Sequence, residues 1–221
     1  IINDNNGVYM IGSDNTTISN NIINLQKKFY GVYAFNTNNS NIINNTLWDN
    51  YHGVYLVNSP DTNVTSNNIS ASDVYSLFIH KSTSNSYFEH NLLSTGLEAI
   101  RIKQSSNYNY FNNNTVSNHI DYGVYLTDSN YNEFVNNTLT NNNLTNAVTG
   151  SIIDTSSGNN TLVYSSNFGQ ISWTTDTLTL SNDLYLGNGI LLGNNSAAVN
   201  STMHSNLNTS AEITLYGLNE S

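Results

Sequence analysis

The 221-residue chain contains no cysteine, a single proline and only five lysines and arginines. Without cysteine no disulfide can close the fold, so a protein of this kind is either intracellular or an exterior protein stabilised by other means. Five cations against fifteen carboxylates give a net charge of −10. That balance forms no basic patch, which excludes nucleic acid and anionic membrane surfaces as partners. No window approaches eighteen consecutive apolar residues, so no transmembrane span is expected. The opening Ile1-Ile2-Asn3 has neither a starting Met nor a leader and reads like Ile22-Ile23-Asn24 inside a repeat, which predicts a segment cut from a longer precursor.

Asparagine is abundant, at about a fifth of the chain. With so little proline and only 9 % charged residues, this composition suits many tight turns better than long helices. Thirteen N-x-S/T sequons occur, among them Asn15, Asn63, Asn113, Asn143 and Asn200. Glycosylation at such sites would place the protein outside the cell or on its surface; an Asn- and Thr-rich chain also generates sequons by chance.

The asparagines are periodic. The stretch GVYLVNSPDTNVTSNNI at 53–69 returns at 123–139 as GVYLTDSNYNEFVNNTL, and weaker copies run through the chain. The glycine slot is filled by Gly7, Gly31, Gly53, Ser76, Ala99, Gly123 and Ser151, at spacings of 24, 22, 23, 23, 24 and 28. Six residues beyond each slot stands a hydroxyl: Ser13, Thr37, Ser59, Ser82, Ser105, Ser129 and Ser157. Fourteen or fifteen beyond it stand Asn21, Asn45, Asn67, Asn91, Asn114 and Asn137.

Between these markers apolar residues alternate. One residue past the slot lie Val8, Val32, Val54, Leu77, Ile100, Val124 and Ile152, and three past it Met10, Ala34, Leu56, Ile79, Ile102 and Leu126. Further columns precede the recurring Asn (Ile18, Ile42, Val64, Phe88, Phe111, Phe134) and follow it (Ile23, Leu47, Ile69, Leu93, Val116, Leu139). Period 2 within short segments and period 23 between them excludes a helical solenoid. The pattern predicts an all-β parallel β-helix of about seven coils of about 23 residues, three strands per coil, stacked about 4.8 Å apart. The slot glycine would permit a tight bend, and the recurring Asn would take a left-handed corner and bond to the next coil. Asp154 in an inward column sets the end of the core. Residues 1–168 are thus expected to be the coils, and 169–221 a β-rich cap over the open end.

GVYLTDSNYNEFVNNTL resembles the repeat of right-handed parallel β-helix proteins of the NosD-like, carbohydrate-binding and sugar-hydrolase group. The resemblance spans residues 1 to 168. It implies the fold and leaves the activity open, because that group mixes lyases, hydrolases, epimerases, adhesins and surface proteins. The segment LNTSAEITLYGL at 207–218 is similar to C-terminal segments of archaeal surface β-helix proteins. Copper, implied by the NosD name, finds no support in cysteine or methionine, and the five histidines fall in different columns.

The outward positions of the first strand carry the candidate site. Two neighbouring columns are largely aromatic, comprising Tyr9, Tyr30, Tyr33, Tyr55, Tyr75, Phe78, Tyr122 and Tyr125. Exposed rings in register suit a glycan face, a neighbouring protein or another copy of the chain; covering loops would make them structural instead. Glu98, Arg101, Lys103 and His80 interrupt the strip. In a lyase of acidic polysaccharide, Arg101 and Lys103 would neutralise the substrate carboxylate and His80 or Tyr75 would take the proton; otherwise the group is an exposed ion pair of little worth. Asp73, Glu98 and Asp121 lie near the strip on separate coils, which does not assemble the facing acids of a glycosidase. No cofactor is indicated, although Asp14 and Asp128 offer turn carboxylates of the type calcium takes. Three functions remain open: a non-enzymatic adhesive module, a structural subunit of a surface layer or filament, and a polysaccharide lyase or hydrolase.

Overall fold

The computed structural model describes residues 6–24, 28–142, 151–156, 158–175, 179–180 and 182–217. The chain winds into a parallel β-solenoid in which each strand pairs with its copy one coil on. The first ladder runs through Val8–Ile11, Tyr30–Phe35, His52–Val57, the second halves of Asn68–His80 and Leu92–Lys103, Val124–Thr127 and Ile152–Asp154. A second ladder runs from Thr17–Ser19 to Asn160–Ser166, and a third from Ile22–Asn24 to Thr138–Thr140. The first two ladders have seven rungs and the third has six, so the described solenoid completes six turns and begins a seventh.

Every apolar column anticipated from the sequence faces inward. Val32, Ala34, Ile42 and Leu47 in one coil, and Val54, Leu56, Val64 and Ile69 in the next, are essentially inaccessible. Phe88, Phe111 and Phe134 stack at 4.7 and 4.8 Å down the middle of the second face.

The corners explain the asparagine content. Among the described residues, twenty-six other than glycine have positive φ, and thirteen of them are Asn and three Asp, the types that best tolerate the left-handed region. The recurring Asn column itself is not left-handed. The residue before it is, as at Asn20, Asn44, Ser66, His90, Asn113 and Asn136. This corrects the expected corner role of Asn21, Asn45, Asn67, Asn91, Asn114 and Asn137. From Asn45 to Asn137 their Oδ1 atoms accept the backbone N–H of the preceding coil's Asn, at 2.9–3.0 Å. Their amides donate to carbonyls such as Ile42 and Val64.

The glycine slot is corrected likewise. Gly31, Gly53 and Gly123 do not have left-handed φ; a Cβ on any of them would come within 2.6 Å of the carbonyl oxygen stacked next to it. Close approach of coils, and not a bend, requires glycine there.

The hydroxyl column shifts where corners lengthen. Lys81 and Ser82, and Gln104 and Ser105, are consecutive left-handed residues, so Ser82 and Ser105 are exposed and Thr83 and Ser106 take the buried place. A further buried column, Ser40, Thr62, Ser86, Asn109, Asn132 and Asn160, was not anticipated. Its side-chain oxygens accept backbone N–H groups of the coil before, as in Thr62 to Ser86 at 3.1 Å and Ser86 to Asn109 at 3.1 Å.

The parallel second ladder ends at Asn160–Ser166. Gly169–Thr175 turns back antiparallel to it, and Glu212–Leu215 pairs antiparallel to that strand. Leu180 and Leu184 bridge to Ile152 and Leu139 over the last coil, and Trp173, Leu180, Leu184, Ile190 and Leu207 extend the same core. Asp154 is buried, with its carboxylate accepting from the Ser156 N–H and the Asn160 amide at 2.9 and 2.8 Å.

Candidate functional site

The outward face of the first ladder brings the predicted strip together. Register places Tyr9, Tyr33, Tyr55, Phe78, Arg101 and Tyr125 in one line and Tyr30, His52, Tyr75 and Glu98 in the next. Strand pairing holds such side chains about 4.8 Å apart, close to ring-stacking distance. Tyr9 stacks on Tyr33 at 5.0 Å and Tyr55 on Phe78 at 4.4 Å, while Tyr33 meets Tyr55 edge-on at 5.2 Å. Tyr30 stacks on Tyr33 at 5.0 Å and Tyr75 meets Phe78 at 4.7 Å, which ties the two columns together.

The rings therefore shield one another. Tyr9 remains 56 % exposed, Phe78 is buried, and Tyr30, Tyr33, Tyr55 and Tyr75 are intermediate, each presenting part of its surface to solvent. On sequence alone His52 is left out of the strip and His80 is taken as an interruption of it; both stack within it. His52 stacks between Tyr30 and Tyr75 at 5.3 and 4.8 Å, and His80 stacks on Phe78 at 4.9 Å. His52 shares the column of Tyr30 and Tyr75, and His80 lies in the adjacent column with Val57 and Lys103; those positions were the available signal. Tyr122 and Tyr125 form an edge-on pair at 5.0 Å beyond the charged interruption, and the Arg101 guanidinium lies 3.7 Å over the Tyr125 ring.

Burial sets the electrostatics. It pushes the Tyr30, Tyr33, Tyr55 and Tyr75 phenols up, with neighbouring phenols adding to the shift in Tyr30 and Tyr33 and the Glu98 carboxylate in Tyr75. Desolvation pulls the His52 imidazole down to about 4, so it is neutral in the stack. His80 is lowered by burial too. Its Nε2 faces Gln104 Oε1 at 2.7 Å, an acceptor, so Nε2 carries the proton and Nδ1 accepts from the Tyr55 hydroxyl at 2.9 Å.

Glu98, Arg101, Lys103 and His80 do meet in adjacent coils. The expectation of an exposed ion pair is corrected: Glu98 is buried, and Arg101 Nη1 contacts its Oε2 at 3.2 Å. Desolvation raises the Glu98 carboxyl and Arg101 counters it. Arg101 Nε is buried without a hydrogen-bond partner, and the Lys103 ammonium lies 5.3 Å over the Phe78 ring. Both His80 nitrogens and the Arg101 charge are thus already engaged within the protein.

Of the sequons, Asn15 and Asn113 are exposed left-handed corner residues and Asn200 is exposed. Asn63 is intermediate, with its amide donating to Asn41 Oδ1 at 2.9 Å. Asn143 lies outside the described residues. Asp14 and Asp128 stand on different coils, with Asp14 accepting from the Asn38 N–H at 2.7 Å.

These coils and ladders define a parallel β-helix with an aromatic outward face. The family model of NosD, described as a periplasmic copper-binding protein, matches residues 1–157, and the chain belongs to that family. The periplasmic description agrees with the exterior location expected from the sequons. No curated protein and no solved structure matches the chain.

The donor set does not fit a copper centre. The chain has no cysteine and two methionines, and no three His, Cys, Asp or Glu side chains gather among the described residues. His119 is held by Asn142 and Ser76, and His52 is enclosed between rings.

Proposed function

We propose that this protein is a non-enzymatic extracellular β-helix module that binds glycan chains along the aromatic strip from Tyr9 to Tyr75. The observation that carries the reading is the unbroken series of mutually stacked rings in register with the coils. Their hydroxyl tips and exposed edges match the hydroxyl rims of sugar rings, the open Tyr9 ring offers an apolar face, and repetition at coil spacing matches a polymer. A neighbouring protein, including another copy in a surface layer or filament, draws on the same exposed rings and is the second reading. Lyase or hydrolase chemistry is less well supported, because the His80 nitrogens and the Arg101 charge are already engaged.

The test is retention on immobilised polysaccharides, comparing the wild type with Tyr33→Ala and Tyr55→Ala. Retention lost in both variants, with unchanged circular dichroism, is the expected result. Retention equal to the wild type would remove the strip from the account. Concentration-dependent self-association, abolished by the same variants, would favour the second reading.

A further inference from the structure

A second group of rings lies away from the strip, at the corner leading into the second ladder. The left-handed positions of that corner are Asn15, Asn39, Asp61, Asn85, Tyr108, Tyr131 and Asn159, with φ between 50 and 63°. Five of the seven are Asn or Asp, whose short polar side chains relieve this conformation locally. Tyrosine has no such relief and bears the Cβ clash in full. Two tyrosines in successive coils therefore depart from the residue type that the rest of this corner uses.

They are 58 % and 47 % exposed and stack face to face at 4.9 Å, inclined by 5°. Two residues further along each coil, Tyr87, Tyr110 and Glu133 occupy successive outward places of the second ladder. Tyr87 and Tyr110 lie 5.9 Å apart. Tyr87, Tyr108, Asn109, Tyr110, Tyr131 and Glu133 line an open cleft of about 380 Å³, within the range of small-molecule sites. Asn109 is already used, since its side chain bonds to Ser86, Thr83 and Ser106 within the solenoid. A ligand would meet four phenol rings and one carboxylate.

No hydrogen bond or ion pair joins the Glu133 carboxylate to another described residue. It is half-buried, and that burial raises its pKa. Burial raises the Tyr110 phenol, and the Glu133 and Glu89 carboxylates beside it raise it further. An anion would be repelled there, and a wholly apolar ligand would leave the carboxylate desolvated and unpaired. A cation meets both demands, through the negative faces of the rings and through the carboxylate, and the chain's −10 charge favours its approach.

We propose that the Tyr87–Tyr108–Tyr110–Tyr131–Glu133 cleft binds a small organic ammonium cation. The site is independent of the strip, and its test is too. Choline serves as probe, titrated into the intact protein and followed by its N-methyl proton signal. Its neutral isostere 3,3-dimethyl-1-butanol and glucose serve as controls. The expected result is saturable choline binding with an upfield N-methyl shift, and at least tenfold weaker binding of both controls.

Glu133→Gln is expected to weaken choline at least tenfold. Tyr131→Asn, which restores the residue type used elsewhere in the column and so preserves the fold, is expected to do the same. Tyr33→Ala, on the strip, is expected to leave choline binding unchanged. Absence of choline binding at millimolar concentration would overturn the proposal. So would equal binding of the isostere, preferential binding of glucose, or indifference to both cleft variants.

Discussion

At the scale of single residues, the buried Asn column is the most exposed to test. Asn91 accepts from both the Asn67 backbone N–H and the Asn67 amide, and donates to the Val64 carbonyl. Asn91→Ala strands these buried groups, and leaving one such group unsatisfied costs about 1–3 kcal/mol. The variant should unfold at lower temperature than Asn21→Ala, whose side chain sits at the first described coil and is only partly buried.

Histidine supplies a second residue-scale prediction. Burial holds His52 and His119 down to about 4, below the 6.5 of the unfolded chain, so between those values the unfolded state binds more protons. The stability they confer is complete above about pH 6.5 and is lost as pH falls towards 4. Glu98 and Glu133, raised by burial, act in the opposite sense on the acid side. The melting temperature should therefore fall from pH 7 to pH 4.5, and His52→Phe should flatten that dependence. An unchanged slope in the variant would assign the acid sensitivity elsewhere.

At the scale of elements, the unit is the ladder. Phe111 lies between Phe88 and Phe134 in the second ladder and is fully buried. Phe111→Ala should cost about 3–5 kcal/mol, read as a shift in urea midpoint. Gly53→Val should be at least as damaging, because its Cβ would lie 2.6 Å from the Ser76 carbonyl oxygen and 2.3 Å from an Ile69 methyl.

The three ladders were legible in the sequence because stacking repeats each inward residue type once per coil. Corner conformation was less legible. In Asn44-Asn45-Thr46 and Asn136-Asn137-Thr138 the two asparagines look alike, yet the first turns the corner and the second enters the core. The same arrangement accounts for three of the sequons: at Asn44, Asn113 and Asn136 a corner Asn, a ladder Asn and a Thr opening the third strand satisfy the pattern for structural reasons. The hydroxyl column failed at Ser82 and Ser105 because one extra corner residue shifts the chain by one place. The strip was visible as columns. Its imidazole members were hidden because stacking, and not metal binding or catalysis, decides where His52 and His80 sit.

At the scale of the whole molecule, one continuous core runs from Met10 through the coils to Leu207 beyond the last of them, while the rings of the strip occupy the outside. A solenoid of this kind offers a rigid, repeating face whose length grows with coil number. That property suits a polymer ligand better than a small one, and it makes the strip the central claim. Oxidative footprinting of the protein with and without a retained polysaccharide tests it most directly. Protection concentrated at Tyr9, Tyr33 and Tyr55, with Tyr87 and Tyr216 unchanged, is the predicted result. Protection spread evenly over all exposed tyrosines, or absent from the strip, would contradict the account.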